Sequence, residues 1–161
     1  MVWGYSLTKR FTAWCHFVLG IALALAPTAV WIALTGGFGP VPALLSTAVA
    51  TWVAGFDIIY SCQDAEFDSG AGLHSIPSRV GVGPALAISA ALHVATIVAL
   101  VALPQVIPLS WPYYVGLVVI GAVLTYEHAI VSPRDLSRIN MAFFDLNGHV
   151  SLAFLLFVAL G

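Results

Sequence analysis

The stretch Asp57-Ile-Ile-Tyr-Ser-Cys-Gln-Asp64-Ala-Glu-Phe-Asp68-Ser-Gly-Ala-Gly-Leu-His-Ser-Ile-Pro-Ser-Arg79-Val-Gly81 decides how this chain is read. The protein has seven acidic residues, and four of them (Asp57, Asp64, Glu66 and Asp68) fall here. On a continuous helix, at about 100° per residue, Asp57, Asp64 and Asp68 lie at about 0°, −20° and +20°. The three carboxylates then share one narrow face, Glu66 points away, and Tyr60 flanks the stripe. Like charges one turn apart repel, and more strongly where solvent screening is poor, so the spacing predicts a cation here. Aspartate oxygens are hard ligands that suit Mg²⁺, an ion usually bound through one or two carboxylates plus a substrate phosphate. The plainer reading is an acidic, solvated helix end, and the apolar span that leads into it argues against that. A zinc site from Cys62, Asp64 and His74 is the softer alternative, but it lacks Cys-x-x-Cys spacing.

Working outward, the surroundings are apolar. Of 161 residues 61% are hydrophobic and only 7% charged, with a mean hydropathy of +1.02. Soluble domains carry about 25% charge. The chain reads as an all-α integral membrane protein, a single membrane domain over residues 1–161. No basic patch suggests nucleic acid. Five spans are expected: Trp14 to Leu34 (with Pro27 inside), Pro42 to Tyr60, Pro84 to Leu103, Pro112 to Ile130 and Ile139 to Leu160. Trp111, Tyr113 and Tyr114 form an interfacial belt before the fourth. The segment from Met1 to Thr12 is polar and basic and does not read as a cleaved leader.

The five basic residues are Lys9, Arg10, Arg79, Arg134 and Arg138. Alternation of five spans puts all of them at one end of the bundle, the end that carries the aspartates. By the positive-inside rule that end is cytoplasmic and the C-terminus faces out. Cys15 and Cys62 then lie in a reducing compartment, where a disulfide is not expected.

Lys9, Arg10 and Arg79 admit two readings, topology signals or neutralisers of a phosphorylated ligand. Gly72-Leu-His-Ser-Ile-Pro-Ser-Arg either caps a helix and holds a loop over the site or is a plain turn. Glu127 and His128 sit near the same end of the fourth span, where ionisable groups face a bundle interior or a cavity. Glu127 is read as a paired structural carboxylate or a substrate contact. Asn140 and Asn147, seven apart, are expected to share a face with it. His16 and His93 read as core residues or interfacial anchors, and the aromatic residues within the spans as packing.

The long motif resembles the second aspartate-rich motif of UbiA-type membrane prenyltransferases, in the 4-hydroxybenzoate polyprenyltransferase-like branch. Tyr5-Ser-Leu-Thr-Lys-Arg-Phe-Thr is similar to the basic segment before that family's fifth helix. Tyr126-Glu-His, with Asp135-Leu-Ser-Arg-Ile-Asn-Met-Ala-Phe-Phe-Asp-Leu-Asn-Gly, is similar to its last loop and helix. The resemblance implies a bundle of nine helices of which these five are the last. The first aspartate motif then belongs upstream, and nothing like it occurs here. The chain is therefore expected to be the C-terminal portion of such an enzyme, inactive alone, with a missing N-terminal half as a partner.

The resemblance further implies polyprenyl transfer from a polyprenyl diphosphate to an aromatic, 4-hydroxybenzoate-like acceptor in quinone biosynthesis (ubiquinone or menaquinone), in a bacterial inner membrane. Asp57, Asp64 and Asp68 would hold Mg²⁺ on the diphosphate, and Lys9 and Arg10 would neutralise the leaving group. Tyr60, Arg79, Glu127 and Asn140 would orient the substrates. The competing readings are a non-enzymatic cation-binding or transport subunit and an inactive remnant. A transporter would more often place its carboxylates near the bilayer midplane.

Overall fold

A computed structural model describes residues 8–160; Tyr5, Ser6 and Leu7 of the basic segment lie outside the described residues. The chain folds into five long apolar helical stretches joined by short connections. Their lengths of 20 to 31 residues suffice to cross a bilayer. Helix α1 spans Cys15–Thr35, α2 Pro40–Ser61, α3 Ala65–Gly70, α4 Ile76–Val80, α5 Val82–Ala102, α6 Trp111–Ile130 and α7 Asn147–Leu160. The expected five-span, all-α architecture is what the chain adopts, and the spans begin and end within a few residues of the expected positions.

Local chemistry sets the ends. Gly39 and Pro40 open α2, and Trp111 with Pro112 opens α6, since proline costs nothing where no backbone donor is needed. Gly36 closes α1 at φ 75°, a left-handed cap that glycine adopts without penalty. Pro27 does not end α1. Beside it, Ser46 of α2 donates to the Ala24 carbonyl at 2.7 Å and bonds the Thr28 hydroxyl at 2.6 Å. A hydroxyl of the neighbouring helix thus bonds α1 in the turn that contains the proline.

Helix α2 is the hub. It packs against α1 on one side and α5 on the other, while α6 pairs with α7. Small residues set the closest approaches: a Cβ on Gly20 would meet the Ala50 carbonyl oxygen, and the His93 ring lies where a Cβ on Gly55 would stand. In lipid, where the apolar drive between helices is weak, such backbone proximity carries the association. The innermost residues, Ile58, Ile59, Ala85, Ile139 and Ala142, cluster at the end of the bundle that bears the aspartates. That end is the better packed one, which suits a site that must hold its shape.

Two departures from ideal helix decide where the polar side chains point. Helix α2 stops at Ser61 and a 3₁₀ turn, Cys62–Asp64, joins it to α3. The Ser61 hydroxyl and the Cys62 thiol both turn back to the Ile58 carbonyl, at 2.9 and 3.3 Å. Such back-bonding competes with the helical ladder and bends it. The last span opens with a π-helix, Met141–Leu146, held by Asn147, whose Nδ2 donates to the Ala142 and Phe143 carbonyls at 3.1 and 3.0 Å.

Candidate functional site

The 3₁₀ turn changes the angular register, and the expected gathering of three aspartates does not form. Asp57, still on α2, is buried and turned to His16 of α1, with Nδ1 to Oδ2 at 2.6 Å. Asp68, on α3, is 2% exposed and pairs with Lys9, Nζ to Oδ2 at 3.1 Å. Asp64 stands at the N-cap of α3, half-buried, with its side chain not spent on capping. Among the described residues no group of three His, Cys, Asp or Glu side chains is placed to share one metal ion. The donor set that remains is Asp64 and Asp68, one helical turn apart. Two hard carboxylates are what Mg²⁺ commonly takes from a protein when a substrate phosphate completes its shell. The residues present therefore fit part of a divalent-ion site but not a self-sufficient one.

The basic segment folds over this end. The Lys9 carbonyl accepts from the His74 amide at 2.6 Å, and the Cys15 thiol lies 3.8 Å from the His74 carbonyl. The loop itself is built rather than slack. Leu73 N–H donates to the Asp68 carbonyl at 2.8 Å, Gly72 takes φ 67°, and Ser75 caps α4 in a reciprocal box with Ser78. The capping reading of this stretch holds. Arg79, at the end of α4, is exposed, as is Arg10.

The other expected contacts separate. Tyr60 lies beside the aspartate end and stacks on Phe143, ring centroids 4.2 Å apart. Trp52 and Phe56 continue that aromatic row at one-turn intervals, Phe56 against Phe143 at 5.3 Å. The spacing 52, 56, 60 is visible in the sequence, but only the π-helix brings Phe143 to it. Glu127 is 1% exposed and enclosed in the bundle, 3.6 Å from His93 Nδ1. His93 also meets His128 at 3.0 Å and the Trp52 carbonyl at 3.3 Å. Asn140 is exposed whereas Asn147 is buried, its Oδ1 accepting from Trp52 Nε1 at 2.9 Å. The π-turns shift the phase between the two asparagines, so Glu127 and Asn140 do not form one substrate face.

Neither Glu127 oxygen has a hydrogen-bond partner among the described residues. With His93 at 3.6 Å and no close hydrogen bond, the buried carboxyl gains little from its surroundings. Glu127→Gln is accordingly expected to leave thermal stability in detergent unchanged or higher. A loss of more than about 2 kcal/mol would show that the charge is needed. In the loop before the last span, the Asp135 carboxyl is held below its usual range by hydrogen bonds from the Ser137 hydroxyl and amide. That loop is pinned by its own side chains.

Beside the aromatic row, and deeper along the bundle, lies an apolar cavity of about 250 Å³ lined by Trp52, Thr96, Leu100, Ile120, Val150 and Phe154 among others. Fold and site together define a polytopic membrane protein with carboxylates and a paired lysine at one end of the bundle and an apolar hollow deeper along it.

The match to known proteins agrees with that class. The family model of the UbiA prenyltransferase family matches residues 1–158, and the chain belongs to that family. It is 34% identical over 128 residues to the mitochondrial 4-hydroxybenzoate polyprenyltransferase of Caenorhabditis elegans, covering 79% of this chain and 36% of that protein. It is 32% identical over 145 residues to the 4-hydroxybenzoate octaprenyltransferase of Alcanivorax borkumensis, covering 90% and 49%. Among solved structures, the apo form of a UbiA homolog from Aeropyrum pernix K1 superposes with a TM-score of 0.81 at 31% identity, over 97% of this chain and 58% of that one. The chain thus spans about half or less of the length of these curated relatives. The expected family and fold are shown, and the protein is integral to a membrane.

Proposed function

We propose that this chain supplies the second-aspartate-motif side of a prenyl-transfer site. That site would move a polyprenyl group from its diphosphate to a 4-hydroxybenzoate-like aromatic acceptor in quinone biosynthesis. The observation that carries the reading is the Asp64–Asp68 turn with Lys9 folded onto it. Two hard carboxylates and a lysine ammonium at one bundle end suit a diphosphate bound through a divalent ion.

Asp64 and Asp68 would orient the diphosphate through Mg²⁺, which supplies Lewis-acid stabilisation of the leaving group. Lys9, released from Asp68 when positive charge arrives there, would swing to the diphosphate oxygens, with Arg10 and Arg79 adding positive potential. As the C–O bond breaks, the electron pair leaves with diphosphate and the allylic carbon becomes cationic. Tyr60 and Phe143, packed together beside the aspartate end, would offer aromatic surface to that charge. An electron-rich ring carbon then forms the new C–C bond and releases its proton. The apolar cavity would take part of the isoprenoid tail and exclude water. The remaining metal ligands, and the acceptor's polar contacts, are assigned to a segment absent from this chain. We place the motif end on the cytoplasmic face of the membrane, from the one-sided basic residues, and take that membrane to be a bacterial inner membrane by likeness to bacterial octaprenyltransferases.

The test is prenyl transfer by the bundle completed with that segment, in membranes, using labelled polyprenyl diphosphate and a panel of hydroxylated aromatic acids. Product that requires Mg²⁺ and disappears with EDTA is expected. Absence of product with every acceptor, or product indifferent to EDTA, would contradict the reading. Lys9→Met is expected to raise KM for the diphosphate about tenfold and leave the Mg²⁺ requirement in place, measured in the same assay.

A further inference from the structure

We propose that Asp57 and His16 form a positioning strut that sets the basic strap over Asp68, so that Asp57 acts outside the metal site. The proposal rests on the prenyl-transfer reading for its kinetic consequence but not for its geometry. His16 lies in the first turn of α1 and is 0% exposed, and Asp57 is one turn from the end of α2 and 6% exposed. The 2.6 Å contact between them is short enough to be a charge-assisted hydrogen bond. The other ring nitrogen, Nε2, lies 3.4 Å from the Ile76 backbone nitrogen. Both ring nitrogens are therefore engaged, one by the Asp57 carboxylate and the other by the Ile76 amide.

The imidazole therefore joins a carboxylate on α2 to the first backbone amide of α4. From there the connections run without a gap. Two residues before Ile76, past Ser75, is His74, whose amide donates to the Lys9 carbonyl at 2.6 Å. Lys9 in turn places its ammonium 3.1 Å from Asp68. The Cys15 thiol, 0% exposed, is covered by the same loop through the His74 carbonyl. Among the described residues, a chain of contacts thus connects Asp57 to Asp68 through His16, the loop and Lys9. Neither Asp57 nor His16 is placed to touch a diphosphate, and both are positioning residues. Side chains that orient a site in this way typically contribute about 10- to 100-fold to activity.

Three variants of the intact protein in bilayer nanodiscs, in a Cys62→Ser background, test this. His16→Leu removes both bonds of the ring. His16→Gln keeps them in principle, because its amide N–H can donate to Asp57 while its carbonyl accepts from Ile76. Asp57→Asn keeps an acceptor for His16 but is a poor metal ligand. His16→Leu is expected to speed maleimide labelling of Cys15 and hydrogen exchange at the His74 amide by about tenfold or more, as local opening does. In the completed enzyme it is expected to lower kcat by about 10- to 100-fold with the Mg²⁺ half-saturation within about threefold of wild type. His16→Gln is expected to recover most of both losses. Asp57→Asn is expected to lower kcat several-fold and leave the Mg²⁺ half-saturation in place.

Unchanged labelling and exchange in His16→Leu would overturn the strut. So would a tenfold rise in Mg²⁺ half-saturation for Asp57→Asn, or a His16→Gln variant as impaired as His16→Leu. If the completed wild-type enzyme transfers no prenyl group, the functional reading fails instead, and the labelling and exchange results still decide the strut.

Discussion

Alanine in place of Asp64 or Asp68 is expected to cost about 10²- to 10³-fold in kcat/KM for prenyl transfer, the loss seen when one preorganised electrostatic contact to a developing charge is removed. The two substitutions differ in their side effects, and the difference is diagnostic. Asp68 is 2% exposed and holds Lys9 at 3.1 Å. Its removal leaves an ammonium without its partner, so Asp68→Ala is expected to loosen the strap as well as the chemistry. Asp64 is half-buried at the N-cap of α3, with its carboxylate unused in capping. Asp64→Ala is therefore expected to keep the thermal midpoint within a degree or two while turnover collapses. Steady-state kinetics across a Mg²⁺ series, beside thermal unfolding of each variant, separates the two effects. Near-normal turnover in either variant would remove that residue from the site.

Valine at Gly20 is expected to be the most damaging change to the fold. A Cβ at that position meets the Ala50 carbonyl oxygen of α2, a backbone atom that cannot rotate away. Forcing extra atoms into a packed contact costs about 1–3 kcal/mol when side chains can yield, and here they cannot, so at least about 3 kcal/mol is expected. Because α1 carries His16 and lies beside the strap, the damage is expected to reach the site. Gly121 offers the control: it is helical, and a Cβ there meets nothing within 4 Å. Gly121→Ala is expected to be neutral or slightly stabilising, through helix propensity alone. Unfolding midpoints and the yield of monodisperse protein in detergent measure both. Equal behaviour of the two variants would contradict the close-approach account of the α1–α2 pair.

Much of this architecture was legible before any coordinates. Apolar runs bounded by Gly-Pro and Pro-Gln punctuation mark five spans, because a bilayer demands length and hydrophobicity and little else. The motif residues 57–81, with the basic and C-terminal segments, identify the family. What the sequence could not convey was direction. The helical wheel put Asp57, Asp64 and Asp68 on one face by assuming an unbroken helix, and the Ser61 and Cys62 back-bonds to Ile58 invalidate that assumption. The same error joined Asn140 to Asn147 across a π-helix. His16 read as a core or interfacial residue because periodicity reports a face and never a partner. Its partner lies 41 residues away on another helix. The reading of His93 as a core residue was sound, though its contact with Glu127 removes that carboxylate from the expected substrate face.

The central claim is that Asp64 and Asp68 hold a diphosphate through a divalent ion at the basic end of the bundle. Its most direct test is binding of a non-hydrolysable prenyl diphosphate analogue to the completed bundle in nanodiscs, titrated calorimetrically with and without Mg²⁺. The account predicts that binding requires Mg²⁺ and is weakened at least about tenfold in both Asp64→Asn and Asp68→Asn. Equal affinity in EDTA, or affinity untouched by both substitutions, would contradict it.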